Sequence, residues 1–211
     1  MGNKKMIWLL PVFGAILLMD IHQRAATYNI FFASDGVLGF LIYLSSMDTA
    51  IYPILLLLPA YLSVRRYFRL AVIIRKKHRK RLVWEQTRNL MLLAGLFSLL
   101  YTALAFREVL GRLWQPVPAE VWCLFLIFNF FKQSFFMQVF LLCRWISGHY
   151  IPGILLVIGC CVAAARTDAP AFVFGMMEKT LFFCLIFLVT DTLLLILNLA
   201  AGKRCDFIEN T

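Results

Sequence analysis

Apolar residues fall along this chain in long, almost uncharged blocks. Six stand out, at about 6–20, 47–66, 88–106, 119–143, 151–166 and 179–201. A helix needs roughly 17 to 25 apolar residues to cross a bilayer, so each block predicts a crossing. The first and fifth are short by that measure. They need snorkelling flanks, or, for the fifth, a broken or re-entrant element. A further apolar patch at 36–46 is able to lengthen the second span, and Pro53 and Pro59 then imply kinks in it.

Between the second and third blocks lies the stretch from Val64 to Asn89, VRRYFRLAVIIRKKHRKRLVWEQTRN, with ten Lys or Arg and one acid, Glu85. With the N-terminus inside and six crossings, the inside segments hold Lys4, Lys5, those ten cations, Arg144, Lys203 and Arg204. The outside segments hold Arg24, Arg107, Arg112, Arg166 and Lys179, and Lys132 lies within a span. Fifteen cations against five is the bias expected when both termini are cytoplasmic. Trp8, Trp84, Trp114, Trp122 and Trp145 all fall near expected boundaries, where an indole buries its ring and keeps its N–H wet.

Composition agrees. Of 211 residues 62% are hydrophobic, with 20 Phe, more than a water-soluble domain of this length can bury. The expectation is an all-α polytopic membrane protein, one transmembrane domain over 1–211 with about six helices. Its localisation is the cell membrane. The net charge of +10 reads as topology rather than as nucleic-acid binding. The six cysteines include no CxxC pair and no Cys/His spacing for zinc, and most lie in or at the ends of apolar blocks, as small buried hydrophobes do. The opening MGNKKMIWLLPVFGAILLMD mimics a signal peptide but has no small-x-small cleavage site before Asp20, so it reads as an uncleaved first span.

Catalytic patterns are missing from the sequence: LAAGKRC is not a phosphate loop, and HExxH and GxSxG do not occur. His22, His78 and His149 lie in three different expected loops, and Glu108, Glu120, Asp168 and Glu178 are scattered. No enzyme, metal or cofactor is expected on this chain. Charge inside the membrane is the stronger feature. Lys132 sits midway along the fourth block and Asp191 midway along the sixth, and such isolated charges are costly at depth. Asn129 and Gln133 share a helical face with Lys132. These four form a polar lining of a substrate path, or a structural bridge between helices, or two charges that face a watery groove without meeting. The small residues of GCCVAAA in the fifth block let backbones approach closely.

The basic stretch admits three readings. Nucleic-acid binding needs a folded module that some twenty residues pinned at both ends do not provide. A plain positive loop held by anionic lipid explains its sign and place. Its pattern asks for more: apolar residues continue past Phe68 to Ile74, RKKHRKR follows, and Leu82, Val83 and Trp84 return before the next span. That predicts helix, basic turn and helix with an apolar face, able to lie on the membrane and to meet a soluble partner.

IYPILLLLPAYLSV leading into YFRLAVIIRKKHRKRLVWEQ resembles the membrane subunits of bacterial type-2 ABC exporters, in particular small six-span permeases of peptide-export and lantibiotic-immunity type. The resemblance covers about 47–106 by motif and the whole chain by span count. It implies a coupling element in the loop at about 67–87, matched here by Tyr67, Ile73, Ile74, Arg75, Arg79, Lys80 and Trp84. It implies two permease halves, identical or paired with a sister permease, in the bacterial plasma membrane. ATP is then bound on separate cytosolic ATPase subunits. It also implies that the fifth block and TDAPAFVFGMME form an outer re-entrant element. The basic cluster is heavier than a docking helix needs. A rival in another class is a non-transporting scaffold or immunity protein that docks a cytosolic partner through the same loop. A third reading, a membrane-embedded enzyme acting on lipid, lacks a catalytic cluster.

Overall fold

Residues 3–31, 36–45, 51–71, 79–112, 117–166 and 177–204 are described by the computed structural model, and they contain helices and no strand. In chain order these are α1 (Asn3–Phe31), α2 (Gly36–Ser45), α3 (Ile51–Ala71), α4 (Arg79–Arg112), α5 (Ala119–Ser147), α6 (Ile151–Arg166) and α7 (Met177–Arg204). Three stretches, Arg81–Gly111, Ala119–Ser147 and Cys184–Gly202, are long and apolar enough to cross a membrane. Shorter apolar helices cover Tyr52–Arg65 and Ile151–Cys160. Helix is the form that lipid demands of such segments, because it satisfies every backbone N–H and C=O within itself.

Several elements depart from the expected bounds. The segment from Ile21 onward, expected as a connection, continues α1 to Phe31. Leu17, Ile21, Ala25 and Tyr28 recur every three or four residues and are all buried, which is one helical face against a core. Residues 36–45 of the apolar patch at 36–46 are helical, as α2, and residues 46–50, between it and α3, lie outside the described residues. Pro53 falls in the first turn of α3, where its missing N–H removes no helical bond, so only Pro59 interrupts the ladder. Of the expected loop at 67–87, residues 67–71 belong to α3 and 79–87 to α4, while 72–78 lie outside the described residues.

Helix α4 is the longest. Its buried stripe runs Val83, Thr87, Leu90, Ala94, Phe97, Tyr101, Ala105 and Val109, and Trp84, Leu92, Leu96, Leu99 and Leu110 point away. Thirty-four residues at about 1.5 Å each span roughly 51 Å, well beyond a hydrocarbon core of about 30 Å.

Helix α5 is the centre of the bundle, with 67% of its apolar window buried against 33% for α4 and 17% for α7. It packs on α7, α4, α6, α3 and α2. At its end Gly148 takes the left-handed conformation, φ 74°, and its N–H caps the Arg144 carbonyl at 3.1 Å. Ser147 Oγ donates to the Cys143 carbonyl at 2.7 Å, and Pro152 sits in the first turn of α6, where proline is tolerated. The turn is tight because Gly153 has no side chain: a Cβ there would lie 2.9 Å from the Phe140 carbonyl oxygen.

The ends of the helices converge at two places. At the basic end, the start of α4 meets the ends of α5 and α7, where a Cβ on Gly202 would lie 2.3 Å from Val83 Cγ2 and 3.7 Å from the Trp145 ring. Trp145 was expected as an interfacial indole and is instead enclosed at 1% exposure. At the opposite end, α1, α2, α3 and the last turns of α4 come together around Tyr52 and Tyr101.

Candidate functional site

The polar residues inside the bundle form a seam along α5 and the helices beside it. Asn129, Lys132, Gln133, Ser134 and Gln138 of α5, Asp191 and Asn198 of α7, and Gln86, Thr87 and Ser98 of α4 are all buried. The α5–α7 contact is stitched by amides. Gln138 Nε2 donates to the Asp191 carbonyl at 3.0 Å, and Asn198 Nδ2 donates to the Gln138 carbonyl at 3.2 Å and to Leu194 O at 2.9 Å. Ser134 Oγ donates to Met91 Sδ on α4 at 2.9 Å, so three helices meet at this level. Asn129 turns its amide back on the Phe125 carbonyl at 2.8 Å.

What these bonds leave over is mostly acceptor. The side-chain oxygens of Asn129, Gln133, Gln138 and Asn198 are buried without a hydrogen-bond partner among the described residues, and the buried Asp191 carboxylate has the Ser134 hydroxyl beside it. Asp191 is 5% exposed. The Lys132 ammonium lies over the Phe128 ring, 5.6 Å from its centroid, a cation–π contact in a site removed from water. Phe128 in turn packs edge-on against Phe187 of α7 at 5.9 Å. Lys132 and Asp191 thus belong to one seam, and the Asp191 carboxylate does not bond to the ammonium. The sequence picked out Asn129, Lys132, Gln133 and Asp191. It missed Ser134, Gln138 and Asn198, whose signal is their spacing: Ser134 and Gln138 are one turn apart on α5, and Asn198 is two turns beyond Asp191 on α7.

A second polar cluster, at the end opposite the basic stretch, was not foreseen. His22 lies on α1, not in a loop, and its Nδ1 is 3.3 Å from both oxygens of Glu108 on α4. Asp20 accepts from Arg24 Nε at 2.7 Å and from the Tyr52 hydroxyl of α3. The rings of Tyr52 and Tyr101 lie 4.7 Å apart, and the Tyr101 hydroxyl donates to the Leu44 carbonyl of α2 at 2.7 Å. Each member has its partner, so the cluster works as a tie joining α1 to α4.

Of the residues matched to a coupling element, Tyr67 is on the last turns of α3, and Arg79 and Lys80 open α4. Ile73, Ile74 and Arg75 lie outside the described residues. Trp84 is 54% exposed one turn into α4, beside the Arg81–Glu85 pair at 3.1 Å. A large aromatic left outward at a basic helix start is suited to contact with lipid or protein. Among the described residues no group of three His, Cys, Asp or Glu is placed to hold a metal ion. No family model, curated protein or solved structure matches the chain.

Proposed function

We propose that this chain is the transmembrane subunit of an ATP-driven exporter of the bacterial plasma membrane. In this reading it crosses six times with both termini cytoplasmic and supplies half of a translocation path. The other half is a second copy or a sister permease, and ATP is hydrolysed on a separate soluble subunit at the basic end. The observation that carries the reading is the continuity of α4. One unbroken helix opens with Arg79 and Lys80, exposes Trp84, and packs Val83 against Gly202, which also lies beside Trp145. The same helix reaches the seam through Met91 and the far-end tie through Tyr101. A push on its basic end is delivered to the packed interior, because close-packed helices shift as bodies rather than deform.

The test is co-purification from membranes in mild detergent, followed by ATPase assay. A stoichiometric soluble ATPase is expected. Replacing Arg79, Lys80 and Trp84 by Ala is expected to remove ATPase stimulation while the protein still inserts and melts as before. A partner that hydrolyses no nucleotide, with binding lost in the same variant, would replace the exporter by a docking scaffold.

A further inference from the structure

Where α4, α5 and α7 meet, the polar seam holds one carboxylate and a surplus of acceptor oxygens. Ser134 and Gln138 of α5 and Asp191 and Asn198 of α7 are each at most 5% exposed. Hydrogen bonds fix their relative places. Gln138 Nε2 donates to the Asp191 backbone carbonyl at 3.0 Å, which holds this side chain beside Asp191. Asn198 Nδ2 donates to the Gln138 backbone carbonyl at 3.2 Å and so positions that stretch of α5 against α7. An amide that gives its nitrogen to a carbonyl presents its oxygen elsewhere, and Gln138 Oε1 is buried without a partner among the described residues. The Ser134 hydroxyl lies beside the Asp191 carboxylate and donates to Met91 Sδ of α4 at 2.9 Å. A hydroxyl has one proton. With that proton on the sulfur, the serine oxygen, the carboxylate and Gln138 Oε1 are all acceptors with no donor between them.

Among the described residues no cation answers this carboxylate, and Ser134 is the side chain that acts on it. On α7 itself Asp191 is the one charged residue between Lys179 and Lys203, and Cys184, two turns before it, is a buried thiol. The helices packed on α7 are α5 and α4. On α5 the Lys132 ammonium lies over the Phe128 ring. On α4 Arg88, one turn before Met91, is exposed. A lone carboxylate at this depth is costly, and such residues mark ion and proton sites in membrane proteins. Hard cations take carboxylate, amide and hydroxyl oxygens as ligands. With one carboxylate, a single positive charge leaves the site neutral, whereas a divalent ion would leave a net charge buried.

We propose that Asp191, Ser134 and Gln138 form a buried binding site for a small monovalent cation, an alkali ion or a proton, where α4, α5 and α7 meet. When the cation binds, the serine gives its proton to Met91 and its lone pair to the cation. The site rests on the packing of α5 against α7 and not on the exporter reading. A transport subunit and a scaffold can each carry it.

The experiment uses the full chain in mild detergent, with thermal unfolding in choline, sodium, potassium and calcium chloride at matched ionic strength, and with binding of radioactive sodium. In choline chloride at neutral pH, D191N is expected to melt above the unaltered protein. Sodium or potassium is expected to raise the melting temperature of the unaltered protein by about 5 °C at about a hundred times its Kd, and to leave D191N unmoved. S134A keeps the carboxylate and is expected to weaken the alkali ion about tenfold, as the loss of one bond to a charged group implies. E108Q removes a carboxylate from the far end of α4 and is expected to keep the full response. If neither alkali ion protects, and acidification raises the melting temperature of the unaltered protein but not of D191N, the site stands and its cation is a proton. No response to alkali ions or to acid overturns the proposal. So does a response that D191N retains, one that E108Q abolishes as fully, or protection through Asp191 by calcium as strong as by sodium. Where D191N fails to fold, S134A decides, and a response it leaves unchanged overturns the site.

Discussion

Gly202 is where the convergence at the basic end is most exposed to test. A Cβ there would stand 2.3 Å from Val83 Cγ2, closer than any relaxed contact. Val83 is fully buried and β-branched, so it has little rotamer freedom with which to retreat. Overpacking of this kind costs about 1–3 kcal/mol. Against it, Ala is favoured over Gly in a helix by at most about 1 kcal/mol, and less in the last turn, where Gly202 sits. Gly202→Ala in the native background is therefore expected to lose about 1–2 kcal/mol. Val83→Ala loses about 1.5 kcal/mol for two buried methyl groups, but it also removes the atom that clashes. In that background Gly202→Ala should be neutral or slightly stabilising. The coupling energy between the two sites is then about 1–3 kcal/mol, far above the few tenths expected of sites that do not touch. Thermal unfolding of the four proteins in one detergent measures it. Additive effects, or a stabilising Gly202→Ala in the native background, would mean that α4 and α7 do not meet at this point, and the lever attributed to α4 would lose its first contact.

Gly153→Ala is expected to be worse than Gly202→Ala, by about 1 kcal/mol or more, because its Cβ would meet a backbone oxygen, the Phe140 carbonyl at 2.9 Å, which cannot rotate aside. Thermal unfolding again checks this, and a neutral Gly153→Ala would refute the close α5–α6 turn. Asp191→Asn removes a buried charge that has the Ser134 hydroxyl beside it and no cation bonded to it. It is expected to raise stability at neutral pH by about 1 kcal/mol, since an amide is cheaper to bury and keeps an oxygen for that hydroxyl. A loss of that size in unfolding would mean that the carboxylate is held by more than one neutral hydroxyl. Tyr101→Phe deletes the hydroxyl that donates to the Leu44 carbonyl and is expected to cost about 1 kcal/mol. Hydrogen exchange should then show faster opening of α2 and little change at Gly202.

Much of the fold was legible as sequence because lipid enforces a simple rule. An apolar run must be a helix there, so α4, α5, α6 and α7 follow from their blocks with only their ends in doubt. The ends moved because polarity was taken for loop. His22 and Arg24 looked like exposed connection, yet they ride on α1, whose opposite face carries Leu17, Ile21, Ala25 and Tyr28 into the core. The residues from Arg79 to Thr87 read as the second arm of a helix, basic turn and helix, and they are helical, with Val83 and Thr87 continuing the buried stripe of α4 outward. On α1, charge on one face hid a helical period on the other.

The individual chemistry of the seam was also visible, since Lys132 and Asp191 are conspicuous among apolar neighbours. Their relation was not. Whether two charges at similar depth meet depends on the rotation of each helix about its own axis, and packing alone sets that rotation. Here it turns Lys132 over Phe128 and gives the Asp191 carbonyl to Gln138. The same holds for the contact between His22 and Glu108, 86 residues apart, and for the edge-to-face meeting of Tyr61 on α3 with Tyr150 after α5. Composition and block length by themselves determined an all-helical chain with stretches able to cross a membrane, because burial of backbone polar groups depends only on local sequence. Which polar groups found partners, and which were left facing one another, was decided by tertiary structure, because those pairings join residues that no local rule connects.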